Sequence, residues 1–333
     1  MPKPTVTLSL DELSRLTFDA LSKIGVNEDD ARIVHDVLTY AQLRDNSQGL
    51  VKVIERTVAP DPAAGEITIE NRSGATLRIN GNRCLGMVVC SKATDEVCAL
   101  ALEHGIGFVG AYNNSTSTGA IGYYAEKIAN QGLIGIVMAG SGKVMAMAGG
   151  IDPVFGTNPI AISIPTTDEP LVLDMATAGI ALFGVIEAGR QGEMIADGLA
   201  YDEAGEPTID PASALKGALR TFGGYKGAGL AMMIEAMTGP LVGAGVVGDE
   251  DAASNRGTAF IAIDPNVIVG EKAYNEAVGR MIMRIRKSRA LPGGSEILLP
   301  GDRGRGKVSA KRSEGSIDLD KRLYDELRAL IVS

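Results

Sequence analysis

The stretch GIGFVG, at residues 105–110, decides which kind of α/β fold this sequence predicts. It matches the G-x-G-x-x-G pattern of dinucleotide-binding proteins, where the pattern follows a strand and opens a helix, so that a pyrophosphate meets the helix N-terminus. Here the pattern follows a predicted helix from about Ser91 to His104, and the apolar residues from Ile106 to Val109 predict a strand. No acidic residue ends a second strand about twenty residues further on. The sequence therefore predicts an α/β fold that is not a Rossmann fold.

The segments on both sides of this strand predict a mixed order of helices and strands. Ser9 and Glu12 form a capping box, which indicates the start of a first helix that ends at Gly25. The further predicted elements are a helix from Asn27 towards Arg44, a hairpin over 67–79, a helix over 122–131, a strand over 133–138, a strand pair over 160–164 and 171–174, a helix over 226–241, a strand over 260–263, a helix over 271–288, a charged, glycine-rich tail over 302–314 and a last helix from Leu319. Since this order is not a clean βαβ series, we expect a mixed sheet.

Composition narrows the class of protein. The chain has 333 residues, of which 45% are hydrophobic, so it can bury a large core, which we expect to be shared by two interleaved lobes. The net charge of -9 without a basic block argues against nucleic acid and membranes as partners. Three cysteines at loose spacing and no apolar leader favour a cytoplasmic location. With only two histidines, a metal site is not expected.

Three further patterns suggest chemistry but have simpler explanations. GSGK, at residues 140–143, resembles half of a P-loop, but Val144 stands where a hydroxyl residue would hold magnesium. His35 lies on the polar face of the second predicted helix and is interpreted as a solvated surface residue. His104 precedes Gly105 at a predicted helix C-terminus, where a histidine suits the helix dipole. None of the three is selected as a catalytic element.

Six short segments carry a more specific signal. They are SQG at 47–49, NS at 114–115 with GA at 119–120 and GYYA at 122–125, GTNP at 156–159, DMAT at 174–177, GGYKG at 223–227 and LPGD at 299–302. In this order and at these spacings they resemble the malate/L-lactate dehydrogenase family of type 2. That family also includes ureidoglycolate and sulfolactate dehydrogenases, diketogulonate reductases, and piperideine- and pyrroline-2-carboxylate reductases. The resemblance covers nearly the whole chain.

The resemblance implies a nicotinamide-dependent homodimer with a mixed-sheet, non-Rossmann dehydrogenase fold and an active site between two lobes. Residues 1–125 with 275–333 would form a helical and mixed lobe that carries the substrate-side loop, and residues 126–274 the cofactor-binding lobe. The implied activity is hydride transfer between NAD or NADP and a small 2-oxo or 2-hydroxy acid, or a cyclic 2-imino carboxylate.

By the same resemblance, one set of residues contacts the cofactor. It consists of Ser117, Thr118, Gly119, Ala120, Asp174, Met175, Ala176, Thr177, Tyr225, Lys226, Gly301, Arg303, Arg305 and Lys307. From the residues alone, the hydroxyl groups of 115–118 before a predicted helix fit an anion site or an ordinary N-cap equally well. The cations over 303–307 fit either a phosphate site or a solvated charge run. A phosphate site there would favour NADPH over NADH.

At the substrate end, the chain departs from the family pattern. The family has Ser-His-Gly where this chain has Ser47, Gln48 and Gly49, and the histidine is the family's proton donor. A glutamine amide can donate a hydrogen bond but cannot titrate near neutral pH. The family's substrate-binding arginine is replaced by Lys52, which keeps the charge and is expected to hold the substrate carboxylate.

A second family histidine is replaced as well, and other residues must be considered as proton donors. Ser117 stands where the family has this second histidine, while Thr157 matches a position that contacts substrate. The catalytic candidates are therefore Ser47, Gln48, Lys52 and Tyr225. For Tyr225, the charge of the neighbouring Lys226 would lower the pKa of the phenol.

The missing histidine bears on the substrate. Reducing a ketone needs a proton for the developing alkoxide, whereas a protonated cyclic imine already carries its proton, so the loss favours a ketimine reductase. The alternatives are a degenerate relative that binds the nucleotide without turnover, and a site elsewhere with residues 48 and 52 on a surface loop. The retained DMAT and GYKG segments disfavour a purely structural protein.

Overall fold

A computed structural model describes residues 4–249, 255–293 and 296–333 of the chain. Its helices are α1 Leu10–Lys23, α2 Glu28–Leu43, α3 Val51–Ile54, α4 Gly86–His104, α5 Gly122–Ala129, α6 Leu182–Gln191, α7 Pro211–Lys216, α8 Tyr225–Thr238, α9 Pro265–Val269, α10 Glu271–Arg286, α11 Asp302–Glu314 and α12 Lys321–Val332. Its strands are β1 Thr5–Ser9, β2 Thr68–Ser73, β3 Thr76–Asn80, β4 Ile106–Asn114, β5 Ile134–Ala139, β6 Met145–Ala146, β7 Pro153–Phe155, β8 Ile160–Ile164, β9 Leu171–Met175, β10 Ala200–Tyr201, β11 Pro207–Thr208, β12 Ala218–Leu219, β13 Arg256–Ile263 and β14 Ser316–Asp320.

A seven-stranded mixed sheet forms the centre of the molecule. Its order is β2-β3-β4-β13-β5-β8-β9, in which β3 and β4 are parallel and the other neighbours are antiparallel. Successive side chains of a strand point to opposite faces. Accordingly, Phe260 and Ala262 of β13 join the core beneath α4 and α5, whereas Ala259 joins a second core beneath α8. The central strand is therefore buried on both faces.

A smaller lobe packs its own core. Strands β11-β10-β12-β6-β7 form a five-stranded sheet, and Met145, Val185 and Leu219 pack together between this sheet and helices α6 and α7. The mixed, non-Rossmann architecture expected from the sequence is confirmed, and GIGFVG at 105–110 begins strand β4. The lobe boundary expected at residues 125/126 stays a prediction, since the large sheet takes strands from both sides of it.

The local signals at the N-terminal helices are confirmed. The Ser9 hydroxyl accepts a hydrogen bond from the Glu12 backbone at 3.2 Å, and the Glu12 carboxylate accepts one from the Ser9 backbone at 2.8 Å. The Asn27 side chain caps α2 in the same way. Helix α4 begins at Gly86, five residues before the predicted start, and β4 extends to Asn114.

The C-terminal predictions were wrong in two places. Residues 302–314 form helix α11 rather than a tail, held to α2 by packing and by the ion pair of Lys307 with Asp45 at 3.2 Å. Leu319 lies in strand β14, which pairs with β1, and the last helix begins at Lys321. The partner strand is some three hundred residues away in the chain, which explains why the local pattern did not predict the pairing.

The interpretation of His35 as a solvated residue was also wrong. Its ring stacks on Phe18 with centroids 4.5 Å apart, and its Nε2 atom lies 3.0 Å from the Ser14 hydroxyl. The histidine thus fills the contact between α1 and α2. In the described ranges, no helix is long and apolar enough to cross a membrane, and no group of side chains is suited to hold a metal ion.

Candidate active site

A cavity of about 380 Å³ lies where the edge of the large sheet meets the small lobe. Seven chain segments enclose it: residues 46–57, which include α3; the turn between β4 and α5; the residues from the end of β5 onwards; the turn between β7 and β8; the end of β9; the start of α6; and the start of β13. Four of these segments contain residues selected from the sequence. Of those residues, the ones that line the cavity are Gln48, Lys52, Ser117, Thr118, Gly119, Ala120, Thr157, Asp174, Met175 and Ala176.

Lys52 is the most unusual group in this cavity. It belongs to the four-residue helix α3 and is 1% exposed. Its Nζ atom donates a hydrogen bond to the Ser117 hydroxyl at 2.8 Å and lies 3.7 Å from the centre of the Phe183 ring. Among the described residues, no carboxylate pairs with it. Burial, and to a lesser extent the charge of Arg256, lower the pKa of Lys52 from 10.5 to about 7.

The turn before α5 holds Ser117 in a fixed position. Its hydroxyl oxygen accepts the Lys52 hydrogen bond and a second one from the Gly119 backbone N–H at 3.1 Å. Gly119 adopts a φ of +72°, which favours glycine. A side chain there would also collide with Val37 at 2.5 Å. The turn therefore depends on Gly119, and it presents the Ser117 hydroxyl to the cavity.

Arg256, at the start of β13, brings a second cation to the same cavity. Its Nε atom is buried without a hydrogen-bond partner, and burial lowers its pKa. In the part of the chain that the structure describes, it forms no ion pair. The cavity's carboxylate residues do not neutralise it: Glu55 pairs with Arg190 at 2.9 Å, and Asp174 is held by a backbone group. Two cations that no described carboxylate neutralises therefore line the same cavity.

Gln48 lies on the turn between α2 and α3. Its backbone N–H donates to the Asn46 side chain at 2.9 Å, and Gly49 after it packs against Gln42. The Gln48 side chain is half-buried at the cavity wall and has no hydrogen-bond partner among the described residues. Its amide is thus free to contact a ligand. Ser47 does not line the cavity.

A network of hydroxyl and amide groups fixes Thr157 at the cavity wall. The Ser141 hydroxyl lies 3.2 Å from the Thr157 hydroxyl and accepts the Thr157 backbone N–H at 2.8 Å. The buried Thr177 hydroxyl donates to the Thr157 carbonyl at 2.8 Å. Behind it, the Asn158 amide donates to the buried Glu235 carboxylate at 2.8 Å. Thr157 therefore has a defined position from which to donate a hydrogen bond.

Asp174 ends strand β9 at the cavity. Its carboxylate accepts a hydrogen bond from the Gly122 backbone N–H at 3.0 Å, at the start of α5. Although solvent reaches the side chain, the protein atoms crowded around the carboxylate raise its pKa to about 6. A methyl group on Gly122 would lie 2.7 Å from an Asp174 oxygen, so this close approach requires glycine.

Tyr225 and Lys226 do not line the cavity. Both are exposed at the start of α8. The turn before them reaches the site only from behind, where the Phe222 backbone N–H donates to the Thr177 carbonyl at 3.0 Å. Their suggested part in proton transfer stays a prediction.

A second cavity, of about 730 Å³, lies near the other end of β9. Its basic residues are Arg44, which pairs with Glu126 at 3.0 Å, Arg305, which pairs with Asp302 at 2.7 Å, and Arg312. Arg305 also donates to the carbonyl of Pro170, directly before β9, at 2.6 Å. Strand β9 therefore runs from the neighbourhood of this cavity towards the smaller one.

The other C-terminal residues expected to contact the cofactor lie outside both cavities. Lys307 pairs with Asp45, Arg303 is exposed, and neither lines either cavity. Gly301 caps α11 with a φ of +96°. Because Arg305 and Lys307 already neutralise carboxylates, the argument that they hold a 2′-phosphate loses support, whereas exposed Arg312 has no carboxylate partner in the described chain.

Two residues of the site were missed from the sequence. Arg256 stands alone next to residues without a recognisable motif, and only the pairing of β13 with β4 brings it to the cavity. Ser141 lies in the segment rejected as a P-loop, which lines the cavity through residues 140–142 without that motif's role. A lone arginine before an apolar strand was the one available signal.

The chain is similar to known proteins over nearly its whole length. Residues 8–328 match the family model described as malate/L-lactate dehydrogenase. The malate/(S)-sulfolactate dehydrogenase of Methanothermus fervidus is 35% identical, over 97% of this chain and 96% of that protein. The Δ¹-pyrroline-2-carboxylate reductase 1 of Burkholderia ambifaria is 32% identical, over 98% of this chain. The crystal structure of a dehydrogenase from Sinorhizobium meliloti superposes with a TM-score of 0.90 at 32% identity, covering 99% of both chains.

Proposed function

Because the chain belongs to the malate/L-lactate dehydrogenase family, a family of nicotinamide-dependent oxidoreductases, we propose that its 380 Å³ cavity is where a small 2-oxo or 2-imino carboxylate is reduced, or the corresponding acid oxidised. The observation that carries the proposal is the convergence on one cavity of two cations, Lys52 and Arg256, which have no carboxylate partner within residues 4–249, 255–293 and 296–333. A buried charge without a partner is costly, and an anionic ligand offsets that cost.

Lys52 and Arg256 would bind the negative groups of the substrate. The planar guanidinium of Arg256 can engage a carboxylate with two parallel hydrogen bonds, and the Lys52 ammonium acts as a point charge. Thr157 and Gln48 would complete the substrate contacts through a hydroxyl group and an amide. Since two cations are present, a 2-oxo acid with a second negative group fits the cavity best, in keeping with the names of the sulfolactate and malate relatives.

The residues around β9 suit a nicotinamide dinucleotide. Asp174 and Met175, at the end of β9, and Ala176 after them line the smaller cavity. At the other end of the strand, Arg305 of α11 contacts Pro170, directly before β9. The backbone N–H groups before α5 and the hydroxyl group of Thr118 would meet the polar groups of the dinucleotide. Bound there, the nicotinamide supplies or accepts the hydride, while the protein orients the substrate beside it.

A cyclic 2-imino carboxylate is the second candidate substrate. The observation that favours it is Gln48, which cannot supply a proton, because a protonated imine does not need one. A pyrroline-2-carboxylate reductase among the relatives supports the same class. For such a monocarboxylate, Arg256 and Lys52 would share one negative group.

A substrate panel tests the function. Purified protein is incubated with NADH or NADPH and with 2-oxo monocarboxylates, 2-oxo dicarboxylates, sulfopyruvate and cyclic 2-imino carboxylates, and the nicotinamide absorbance is followed. We expect turnover of at least one class, with the dianionic 2-oxo acids fastest. Binding of cofactor without any turnover would show a degenerate relative, and the absence of both would contradict the proposal.

We also propose that the chain acts as a homodimer. Helix α10 buries only Val278 within the chain, and exposed apolar side chains occur on α8, on α10 and after it. These side chains are Met232, Met233, Met281, Met283 and Leu291. Exposed apolar residues grouped on neighbouring parts of helices are typical of surfaces that a second subunit covers.

A further inference from the structure

The hydroxyl of Ser117 has a hydrogen-bonding arrangement with a consequence for proton transfer. Its oxygen accepts from Lys52 at 2.8 Å and from the Gly119 backbone at 3.1 Å. A hydroxyl group has two acceptor lone pairs and one proton to donate. Since both lone pairs are engaged from behind, and no acceptor for the proton lies among the described residues, the Ser117 O–H is directed to the cavity.

We propose that Lys52 is the proton donor of the reaction and acts through the Ser117 hydroxyl, a role that rests on the function proposed above. Lys52, Ser117 and the cavity form one continuous line of hydrogen-bonding groups, whereas Gln48 has no proton to give and Tyr225 does not reach the cavity. Asp174, the other cavity group whose pKa lies near neutrality, is hydrogen-bonded to the Gly122 backbone N–H, whereas Lys52 is linked to the cavity through the Ser117 hydroxyl.

For a 2-oxo acid, hydride transfer to carbon is accompanied by proton transfer to oxygen. The carbonyl carbon gains a hydrogen with its electron pair from the reduced nicotinamide, which is thereby oxidised. The π electrons of the C=O bond move to the oxygen, which takes the proton of the Ser117 hydroxyl. Ser117 takes a proton from the Lys52 ammonium, and Lys52 is left as a neutral amine. In the reverse direction, neutral Lys52 is the base that removes the hydroxyl proton.

The surroundings of Lys52 favour this exchange. A general acid is most effective when its pKa lies near the working pH, and burial brings the pKa of Lys52 to about 7. Of the charged groups that line the same cavity, Arg256 on β13 opposes the protonated form. Glu55, directly after α3, is paired with Arg190, and Asp174 on β9 is held by the Gly122 backbone. No carboxylate among the described residues stabilises the ammonium.

Measuring each variant with a 2-oxo acid and with a cyclic imine distinguishes the loss of a proton donor from the loss of a positive charge. The variants are Lys52→Arg, which keeps a cation that cannot release a proton near neutral pH, and Ser117→Ala, which removes only the hydroxyl. The control is Lys92→Arg, a partly exposed lysine on α4. We expect kcat for a 2-oxo acid to fall about 100-fold in both variants, the lower end of general-acid effects. For a protonated cyclic imine, the fall in kcat should be at least about tenfold smaller, because the substrate brings its own proton and only binding contacts are altered.

The outcomes distinguish this inference from the proposed function. If the wild-type protein neither binds cofactor nor turns over any substrate, the function fails. If it turns over a 2-oxo acid, and Lys52→Arg and Ser117→Ala leave that kcat unchanged, the inference is wrong. Equal loss on the oxo and imino substrates also overturns it, since that pattern shows binding or positioning only. If only an imine is turned over, no proton donor is required and the inference is likewise overturned.

A titration without cofactor or substrate gives an independent readout. In protein labelled at lysine, the Cε and Nζ resonances are followed by NMR against pH, and the resonance missing from Lys52→Arg is assigned to Lys52. We expect it to titrate near pH 7, as burial predicts. A midpoint near the usual 10.5 of lysine would overturn the inference. Should Lys52→Arg fail to fold, the kinetics of Ser117→Ala still decide the question.

Discussion

At the scale of single residues, the site is defined by charges that have no carboxylate partner in the described part of the chain. Lys52 is fully buried, yet among the described side chains its one hydrogen-bond partner is the neutral hydroxyl of Ser117. Proteins rarely bury a cation in this way unless a function requires it. The lysine therefore lowers stability in the free protein and becomes useful when an anion enters the cavity.

The free-energy cost of burying the Lys52 charge predicts how the free energy of unfolding depends on pH. Its pKa is about 7 in the folded chain and 10.5 in the unfolded chain, so between these values the unfolded state binds more protons and the free energy of unfolding rises with pH. Lys52→Met removes this dependence. We expect the variant to be the more stable protein at pH 6, by up to about 4 kcal/mol, and its advantage to shrink towards pH 10.

Urea unfolding of both proteins across that range measures the difference. An advantage of Lys52→Met that stayed constant with pH would show that the lysine keeps its ordinary pKa when folded.

The partner-free amide of Gln48 gives a second prediction at this scale. Gln48→Ala removes one neutral hydrogen bond to substrate, which contributes about 0.5–1.5 kcal/mol, so kcat/KM should fall roughly 2- to 12-fold. Because glutamine does not titrate, the limbs of the pH–rate profile should keep their positions. Steady-state kinetics on the best substrate of the panel measure both. A displaced limb would indicate that Gln48 governs the proton donor.

Some of these residues could be predicted from the sequence and others could not. Lys52, Ser117 and Thr157 were found because each stands in a short segment with a recognisable pattern. Arg256 was not, since nothing local connects an arginine on β13 with a lysine on α3. Their proximity arises only from long-range strand pairing.

At the scale of helices and strands, too, features that depend on local sequence were predicted and features that depend on long-range contacts were not. Capping boxes, hairpins and the apolar strands of the large sheet follow local rules and were predicted, whereas the β1–β14 pair joins the two ends of the chain and was not. Helix α11, with little apolar surface of its own, is held by contacts with α2 and β14 that its composition does not reveal.

The central strand β13 gives a prediction about packing. A methyl group on Gly257 would lie 1.8 Å from the Thr238 carbonyl and 2.7 Å from Val242, so Gly257→Ala must displace the end of α8. We expect a loss of about 1–3 kcal/mol in the free energy of unfolding. The control is Gly279→Ala in α10, where nothing lies within 4 Å and helix propensity predicts a gain of about 0.5–1 kcal/mol.

Chemical denaturation of the two variants and the wild type measures these free energies of unfolding. If Gly257→Ala were as stable as the wild type, the close approach of α8 to β13 would not exist in the protein.

At the scale of the whole molecule, the exposed apolar side chains of α8 and α10 predict association. We expect light scattering at micromolar concentration to give twice the 34.7 kDa of one chain. Met281→Glu and Met283→Glu together place charges on α10 and should shift the equilibrium to the monomer. Lys272→Glu, which changes charge on the same helix without removing an apolar group, is the control. A particle of single-chain mass for the wild type would contradict the prediction.

The central claim is that the cavity shared by Lys52 and Arg256 is where an anionic substrate binds for hydride transfer, and its most direct test is the KM of Arg256→Met. A charged hydrogen-bond partner contributes about 1.5–3 kcal/mol, so KM for the best 2-oxo acid should rise roughly 10- to 100-fold. Because the interaction is shared by ground and transition states, kcat should change little. Arg72→Met, at a surface ion pair with Glu96, should match the wild type. An unchanged KM in Arg256→Met would contradict the account and place the substrate elsewhere.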